Sequence, residues 1–314
     1  MKFNKIALLD FEKDLLEKEY LDKLLEITEK LEIVEKNDEN KLEKIKDADI
    51  LLVRITTMVD KNIINNCSNL KYIGVMATSF SKIDTKYAAQ KGIVVTNLAG
   101  YSTEAVAEFV FATLLEYIRE LERGKTNARK GEFSFDSFLT WELKGKKFGI
   151  IGLGNIGKGV SEIALGFGLD VRYWSRNRKP EYEAKGVKYV EFDEVLNSDI
   201  IDIHLARNKE TEGIFSKEKL DKIKEGSIVI CLTSLKLFDF DYLIGLLKKG
   251  KFTLISDYLD LLPEDKRKEL EGLPNLVAYP PIAFRTREAI KRQKDLLIDN
   301  LMKFAEGKIQ NKVN

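Results

Sequence analysis

Chemistry is first visible at Gly152-Leu153-Gly154-Asn155-Ile156-Gly157. The run directly follows an apolar segment, Phe148 to Ile151, and precedes a stretch with helical spacing, Lys158 to Phe167. Between a strand and a helix each glycine has a task. Gly152 permits the tight turn, Gly154 lets a pyrophosphate approach the backbone, and Gly157 packs helix against strand. The helix N-terminus then offers unpaired N–H groups to the phosphates. The plainer alternative is a tight strand-to-helix turn with no ligand, and the flanking pattern favours a dinucleotide site over it.

The end of the following strand bears on which dinucleotide. A carboxylate there would accept the ribose 2′-hydroxyl of NAD. The segment Val171-Arg172-Tyr173-Trp174-Ser175-Arg176-Asn177-Arg178-Lys179 holds none. Ser175, Arg176, Arg178 and Lys179 instead supply donors and positive charge suited to a 2′-phosphate. A basic loop that simply faces water is the other reading. The residues favour NADP(H) over NAD(H).

His204 is the single histidine, so any histidine-dependent proton transfer uses it or does without. The two cysteines, Cys67 and Cys231, make neither a disulfide framework nor a zinc site, and no metal is expected. Lys+Arg 52 against Asp+Glu 51 leaves +1, which gives no reason to expect nucleic acid or an anionic membrane as partner. The composition, 44% hydrophobic and 33% charged, suits a sizeable core under a soluble surface. No apolar run approaches the ~18–20 residues that span a bilayer. The N-terminus MKFNKIALLDFEKD turns acidic and lacks the small-residue cleavage site of a secretory signal. The expectation is a cytoplasmic protein of two domains in its 314 residues.

The elements that must position these groups follow a strand–helix rhythm. Phe3 to Leu9, Ala48 to Arg54, Leu70 to Met76 and Gly92 to Asn97 read as buried strands, and Phe11 to Lys30 has helical spacing. Ser102 to Arg123 is a long apolar helical stretch that opens with a Ser/Thr N-cap pattern. A second series of strand candidates then runs through KKFGIIGLGNIG, LDVRYWS, GVKYV, SDIIDIHL, GSIVICL, KFTLISD and NLVAYPP. From Thr286 onward one amphipathic helix ends in a polar tail. Short β-branched runs in βαβ repetition predict an α/β fold of two doubly wound, Rossmann-like domains with parallel sheets.

The block LKYIGVMATSFSKIDTKYAAQKGIVVTNLAGYSTEAVAEFVFATLLE, followed by ELKGKKFGIIGLGNIGKGV, resembles the D-isomer-specific 2-hydroxyacid dehydrogenases. Within that family it is most similar to the glyoxylate and hydroxypyruvate reductases, whose YYSRxRK-type loops bind NADP(H). The resemblance covers nearly the whole chain. It implies a flavodoxin-like substrate domain, 1–97 plus 285–314, and an inserted dinucleotide-binding domain, 98–284, with the active site in the cleft between them. It also implies a homodimer built through the cofactor domains. Val106, His204, Thr211 and Asp257 fall at positions that line the family's cofactor site, Asp257 at the one that meets the nicotinamide amide.

The family's chemistry uses an arginine for the substrate carboxylate and carbonyl, a histidine for the proton, and a glutamate that holds the histidine. Hydride delivery to a ketone builds negative charge on oxygen, which must receive a proton from a positioned acid. Matched residue by residue, Ser234 stands for the arginine, Leu262 for the glutamate and Pro281 for the histidine. The carboxylate loop is altered too: Ala77-Thr78-Ser79-Phe80-Ser81 has Ser79 in place of a glycine. A glycine there would accept a positive φ more readily.

Substitute groups exist on paper. Lys236 supplies a cation, Tyr258 and Tyr279 carry donatable protons, and Arg54 and Arg285 suit a carboxylate. Lysine lacks the planar fork that grips a carboxylate, and each of these residues is more often a surface or packing residue. Two readings follow. One is a dinucleotide-binding member that is catalytically degenerate for 2-keto acid reduction and serves as a cofactor sensor or partner-binding module. The other is an active NADP(H)-dependent oxidoreductase acting on a different carbonyl or hydroxy substrate.

Overall fold

The computed structural model describes residues 2–314, which form two compact units. One runs to Ser102 and takes up Arg287–Asn314; the other is Thr103–Thr286. Both are α/β, and every strand pairing within their sheets is parallel. Among the described residues no helix is long and apolar enough to cross a membrane.

The first unit has strands β1 (Phe3–Leu9), β2 (Thr28–Val34), β3 (Ile50–Val53), β4 (Tyr72–Val75) and β5 (Val94–Thr96) in the order β2-β1-β3-β4-β5. The inner strands β3 and β4 are buried along their whole length, as βαβ sheets covered on both faces require. β2 corrects the sequence reading. The helical spacing read over Phe11 to Lys30 resolves into a helix at Lys18–Glu26 and then this strand. TEKLEIV is charged because it lies at the sheet edge, where lysine and glutamate discourage further pairing.

The opposite edge is covered by the chain's own end. Past the helix Arg287–Ala305 the polar tail does not trail free: Lys312 bridges Thr96, and Val313 N donates to Val95 O at 2.9 Å. The Asn314 carboxamide accepts from Val95 N and donates to Ile93 O at 2.7 Å.

The second unit has β6 (Lys147–Ile151), β7 (Asp170–Trp174), β8 (Lys188–Tyr189), β9 (Ile200–Ile203), β10 (Ile228–Cys231), β11 (Thr253–Ser256) and β12 (Leu276–Ala278). Their order is β12-β11-β10-β9-β6-β7-β8, the doubly wound arrangement in which β6 is the reversal point. Apolar clusters cover both faces. One gathers Val110, Phe111, Phe148 and Ile150, the other Ile201, Val229, Leu243 and Leu254. The helix read over Ser102 to Arg123 stops at Ile118, because Glu120 takes φ +49; a second helix, Leu121–Arg129, buries none of its residues.

Candidate functional site

The glycine turn lies where the strand order of the second sheet reverses. β6 has β7 on one side and β9 on the other. In open parallel sheets ligands settle outside the carboxyl ends of the strands at such a point. Gly152 N donates to Trp174 O at 2.8 Å and His204 N donates to Ile151 O at 2.8 Å, so the ends of β7 and β9 clamp the turn from both sides.

The three glycines differ in their surroundings. Gly152 sits at φ +102, and a Cβ there would lie 2.9 Å from the His204 carbonyl oxygen. A Cβ on Gly157 would lie 2.3 Å from the Gly152 carbonyl oxygen, so helix and turn meet backbone to backbone. Gly154 is exposed, with nothing within 4 Å of where its Cβ would be. It is the N-cap of the helix Asn155–Gly166, and no side chain caps that end. The helix starts earlier than the Lys158 read from spacing, so Asn155, Ile156 and Gly157 are its first turn. Their amides have no intrahelical partner and are open to an anion. Leu153, 1% exposed, anchors the turn in the core.

Beyond β7 the basic loop is compensated rather than free. Arg176 pairs with Glu210, from the loop after β9. Arg178 is held by Glu183, which also accepts from Tyr173 Oη at 2.8 Å. Lys179 N donates to the same Tyr173 oxygen at 2.6 Å, and Ser175 Oγ donates to Asn177 O at 2.6 Å. The two arginines differ in the fold: Arg178 is tied into the loop's framework.

Three buried side chains at the carboxyl ends of β9 and β11 carry polar atoms without a partner among the described residues: Asp202 Oδ1, His204 Nδ1 and Asp257 Oδ1. His204 Nε2 lies 2.6 Å from Asp202 Oδ2, with the side chains 2% and 0% exposed. Asp257 is 1% exposed, and its other oxygen accepts from Ala283 N at 3.4 Å. Burial pushes its carboxyl up to about 6. Cys231, buried between them on β10, has its thiol pushed up to about 11 by the same cause. The uncapped helix N-terminus and the open glycine fit a polyanionic ligand.

The other residues singled out in the sequence are held in contacts of their own. Val106 is buried in the apolar core beside the sheet. Thr211 shapes its own loop, its Oγ1 donating to Ala206 O at 2.7 Å and accepting from Asn208 N at 2.9 Å. Ser234 caps the short turn Leu235–Leu237, accepting from Lys236 N at 3.3 Å, and Lys236 is exposed. Leu262 packs on the apolar face and Pro281 is half-buried. Tyr279 is a poor acid: burial, then its 2.6 Å bond to Glu116, push its hydroxyl far above a phenol's ordinary range. Tyr258 N lies 3.3 Å from Ser256 Oγ in the turn after β11. Arg285 is exposed, its guanidinium 6.0 Å from the Phe284 ring centre.

In the first unit Arg54 pairs with Glu12. Ala77 is buried; Thr78 Oγ1 donates to Leu98 O at 2.9 Å, and Asn97 Nδ2 donates to Thr78 O at 2.7 Å. Non-glycine residues with positive φ among the described residues are Asp10, Glu120 and Asn311, so Ser79 occupies its turn without left-handed strain. The cost expected for replacing the glycine does not arise. Sequence reading passed over Asp202, Glu183 and Glu210. Asp202 had a signal: a carboxylate inside an apolar strand, two residues before the sole histidine and so on the same face.

The comparisons with known proteins agree with this geometry. The D-isomer specific 2-hydroxyacid dehydrogenase NAD binding domain matches residues 111–283. The chain is 36% identical over 279 residues to a glyoxylate reductase of Thermococcus litoralis, covering 85% of this chain and 84% of that one. It is 33% identical over 284 residues to a hydroxypyruvate reductase of Blautia hydrogenotrophica, covering 88% of each. Among solved structures, an acyclic imino acid reductase in complex with NADPH and D-Arg superposes with TM-score 0.86 at 30% identity, over 99% of this chain and 100% of that one. A D-lactate dehydrogenase from Aquifex aeolicus complexed with NAD and lactic acid gives TM-score 0.86 at 27% identity over 96% of each. A reversal-point glycine turn, two parallel-sheet units and these matches place the chain in the D-isomer-specific 2-hydroxyacid dehydrogenase family.

Proposed function

We propose that the chain binds NADP(H) in preference to NAD(H) and does not reduce 2-keto acids through an arginine–glutamate–histidine set. The observation that carries this is the state of the only imidazole. His204 is sealed at 2% exposure with Nε2 committed to Asp202, and Ser234, Leu262 and Pro281 offer no ionisable group. The bound cofactor would supply hydride. Gly154 and the amides of Asn155 and Ile156 would hold its pyrophosphate, Asp257 its nicotinamide end, and the Ser175–Lys179 loop its 2′-phosphate. The test is thermal shift with NADPH, NADP⁺, NADH and NAD⁺, beside assays with glyoxylate and hydroxypyruvate. A ligand at 100 times its Kd stabilises by about 2.7 kcal/mol. Larger shifts with the phosphorylated pair, with no turnover above background, are expected; brisk reduction of either keto acid overturns the reading.

A second reading is favoured by the likeness to the imino acid reductase. A protonated imine brings its own proton: when hydride reaches its carbon, the C=N⁺ pair becomes a nitrogen lone pair and a neutral amine results. No acid is needed, and an arginine at the reacting centre would repel such a cation. The buried carboxylates Asp202 and Asp257 suit positive charge at that end of the sheet. NADPH oxidation by a panel of 2-keto acids with ammonia or methylamine tests it. Turnover that requires the amine supports imine reduction; none across the panel leaves only binding.

We further propose that the chain is a homodimer through this unit. After the exposed helix Leu121–Arg129 the chain presents Phe133, Phe135 and Leu139 at 79%, 81% and 95% exposure. Large apolar side chains so fully in water mark an association surface.

A further inference from the structure

We propose that Glu210 is a specificity-determining residue that sets how strongly the site prefers a 2′-phosphate over a 2′-hydroxyl. The proposal rests on the reading that a dinucleotide lies across the carboxyl ends of β6, β7 and β9.

The loops after β7 and β9 stand on either side of the glycine turn, and the Arg176–Glu210 pair joins them. Both side chains are more than two-thirds exposed, at 71% and 72%. Exposed pairs of this kind contribute little and exchange partners readily. Glu210 is nonetheless held in place by its backbone. Asn208 Oδ1 accepts from Glu210 N at 2.8 Å and from Thr211 N at 3.1 Å, and Thr211 Oγ1 accepts from Asn208 N at 2.9 Å. A local turn therefore presents the carboxylate to Arg176.

Arg178 has a different position. Its Nε lies 3.1 Å from Glu183, its guanidinium stacks 5.1 Å from the Tyr189 ring centre, and Glu183 is shared with Tyr173. Moving Arg178 gives up both an ion pair and a ring contact, whereas moving Arg176 breaks one solvent-exposed contact. Arg176 is thus the exchangeable cation of the pair. A 2′-phosphate, with a charge of about −1.5 to −2, would take Arg176 from Glu210 and then sit beside the displaced carboxylate. A 2′-hydroxyl leaves the pair intact. Glu210 competes with the phosphate for its arginine and tempers the preference.

The test is the Kd of NADPH and of NADH, by fluorescence titration, for the wild-type chain, Glu210→Gln and Arg176→Gln. Neither residue is buried, so folding is not at issue. Glu210→Gln is expected to tighten NADPH by about three- to tenfold and to change NADH less than about twofold. Arg176→Gln is expected to weaken NADPH by about tenfold or more and to spare NADH. Equal effects of Glu210→Gln on the two cofactors, or none on NADPH, overturn the proposal while leaving dinucleotide binding in place. If wild type and variants bind neither cofactor, the dinucleotide reading itself fails and the proposal with it.

Discussion

The imidazole Nε2 of His204 meets Oδ2 of Asp202 at 2.6 Å inside the sheet, where both side chains are all but sealed from water. Asp202 lies level with Ile150 of β6 and Ile230 of β10, so its carboxylate has hydrocarbon on either side along the sheet. Removing one member leaves the other buried and uncompensated. His204→Ala should cost about 1–3 kcal/mol in urea unfolding, and Asp202→Leu with His204→Leu should regain most of it. A loss below about 1 kcal/mol in the single variant would mean that water reaches the pair.

The glycine turn separates folding from binding. Gly157→Ala drives a Cβ against the Gly152 carbonyl oxygen, and a loss of about 1–3 kcal/mol in stability is expected. Gly154→Ala meets nothing and takes no unusual φ, since its φ is −82. Its melting temperature should match wild type, while the new methyl group holds the pyrophosphate off the helix N-terminus and weakens NADPH by at least about tenfold. Unchanged NADPH affinity in Gly154→Ala would place the ligand elsewhere.

Asp257 gives a pH dependence of defined sign. Burial raises its carboxyl to about 6, above the unfolded value near 3.8, so the folded chain holds this proton more tightly. The resulting stability is fully present below about pH 4 and is lost as pH rises through 6, by at most about 3 kcal/mol. Urea unfolding of wild type and Asp257→Asn from pH 4 to 8 isolates it: the difference between the two curves should change from pH 4 to a little above 6 and level off beyond. A flat difference would show that the carboxyl titrates normally.

Phe133, Phe135 and Leu139 should govern assembly. Replacing all three with serine is expected to convert a dimer to a monomer in light scattering after size exclusion, with far-UV circular dichroism retained, because none of them belongs to either core cluster of the unit. A wild-type chain that is itself monomeric would overturn the dimer.

Legibility varied with how local the cause was. β6, β9, β10 and β11 were readable because strands buried on both faces are continuous apolar runs. β2 was hidden because an edge strand is polar by necessity, and TEKLEIV continues the spacing of the helix before it. The break at Glu120 gave no signal, since a single left-handed glutamate looks like any other in sequence. The identities of Ser234, Leu262 and Pro281 needed no structure at all.

By itself the sequence determined the fold class, the glycine turn, the single histidine and the absence of ionisable groups at Ser234, Leu262 and Pro281. These rest on residue type and on spacings of a few residues, which short-range sterics translate directly into turns, strands and helices. Only the tertiary structure decided the distant pairings: Arg176 with Glu210, and the C-terminal tail with β5. The loops of Arg176 and Glu210 become neighbours because β7 and β9 flank β6, an order that no local pattern encodes. Burial likewise sets the proton affinity of Asp257, and burial belongs to the packed sheet rather than to the residues on either side of it in the chain.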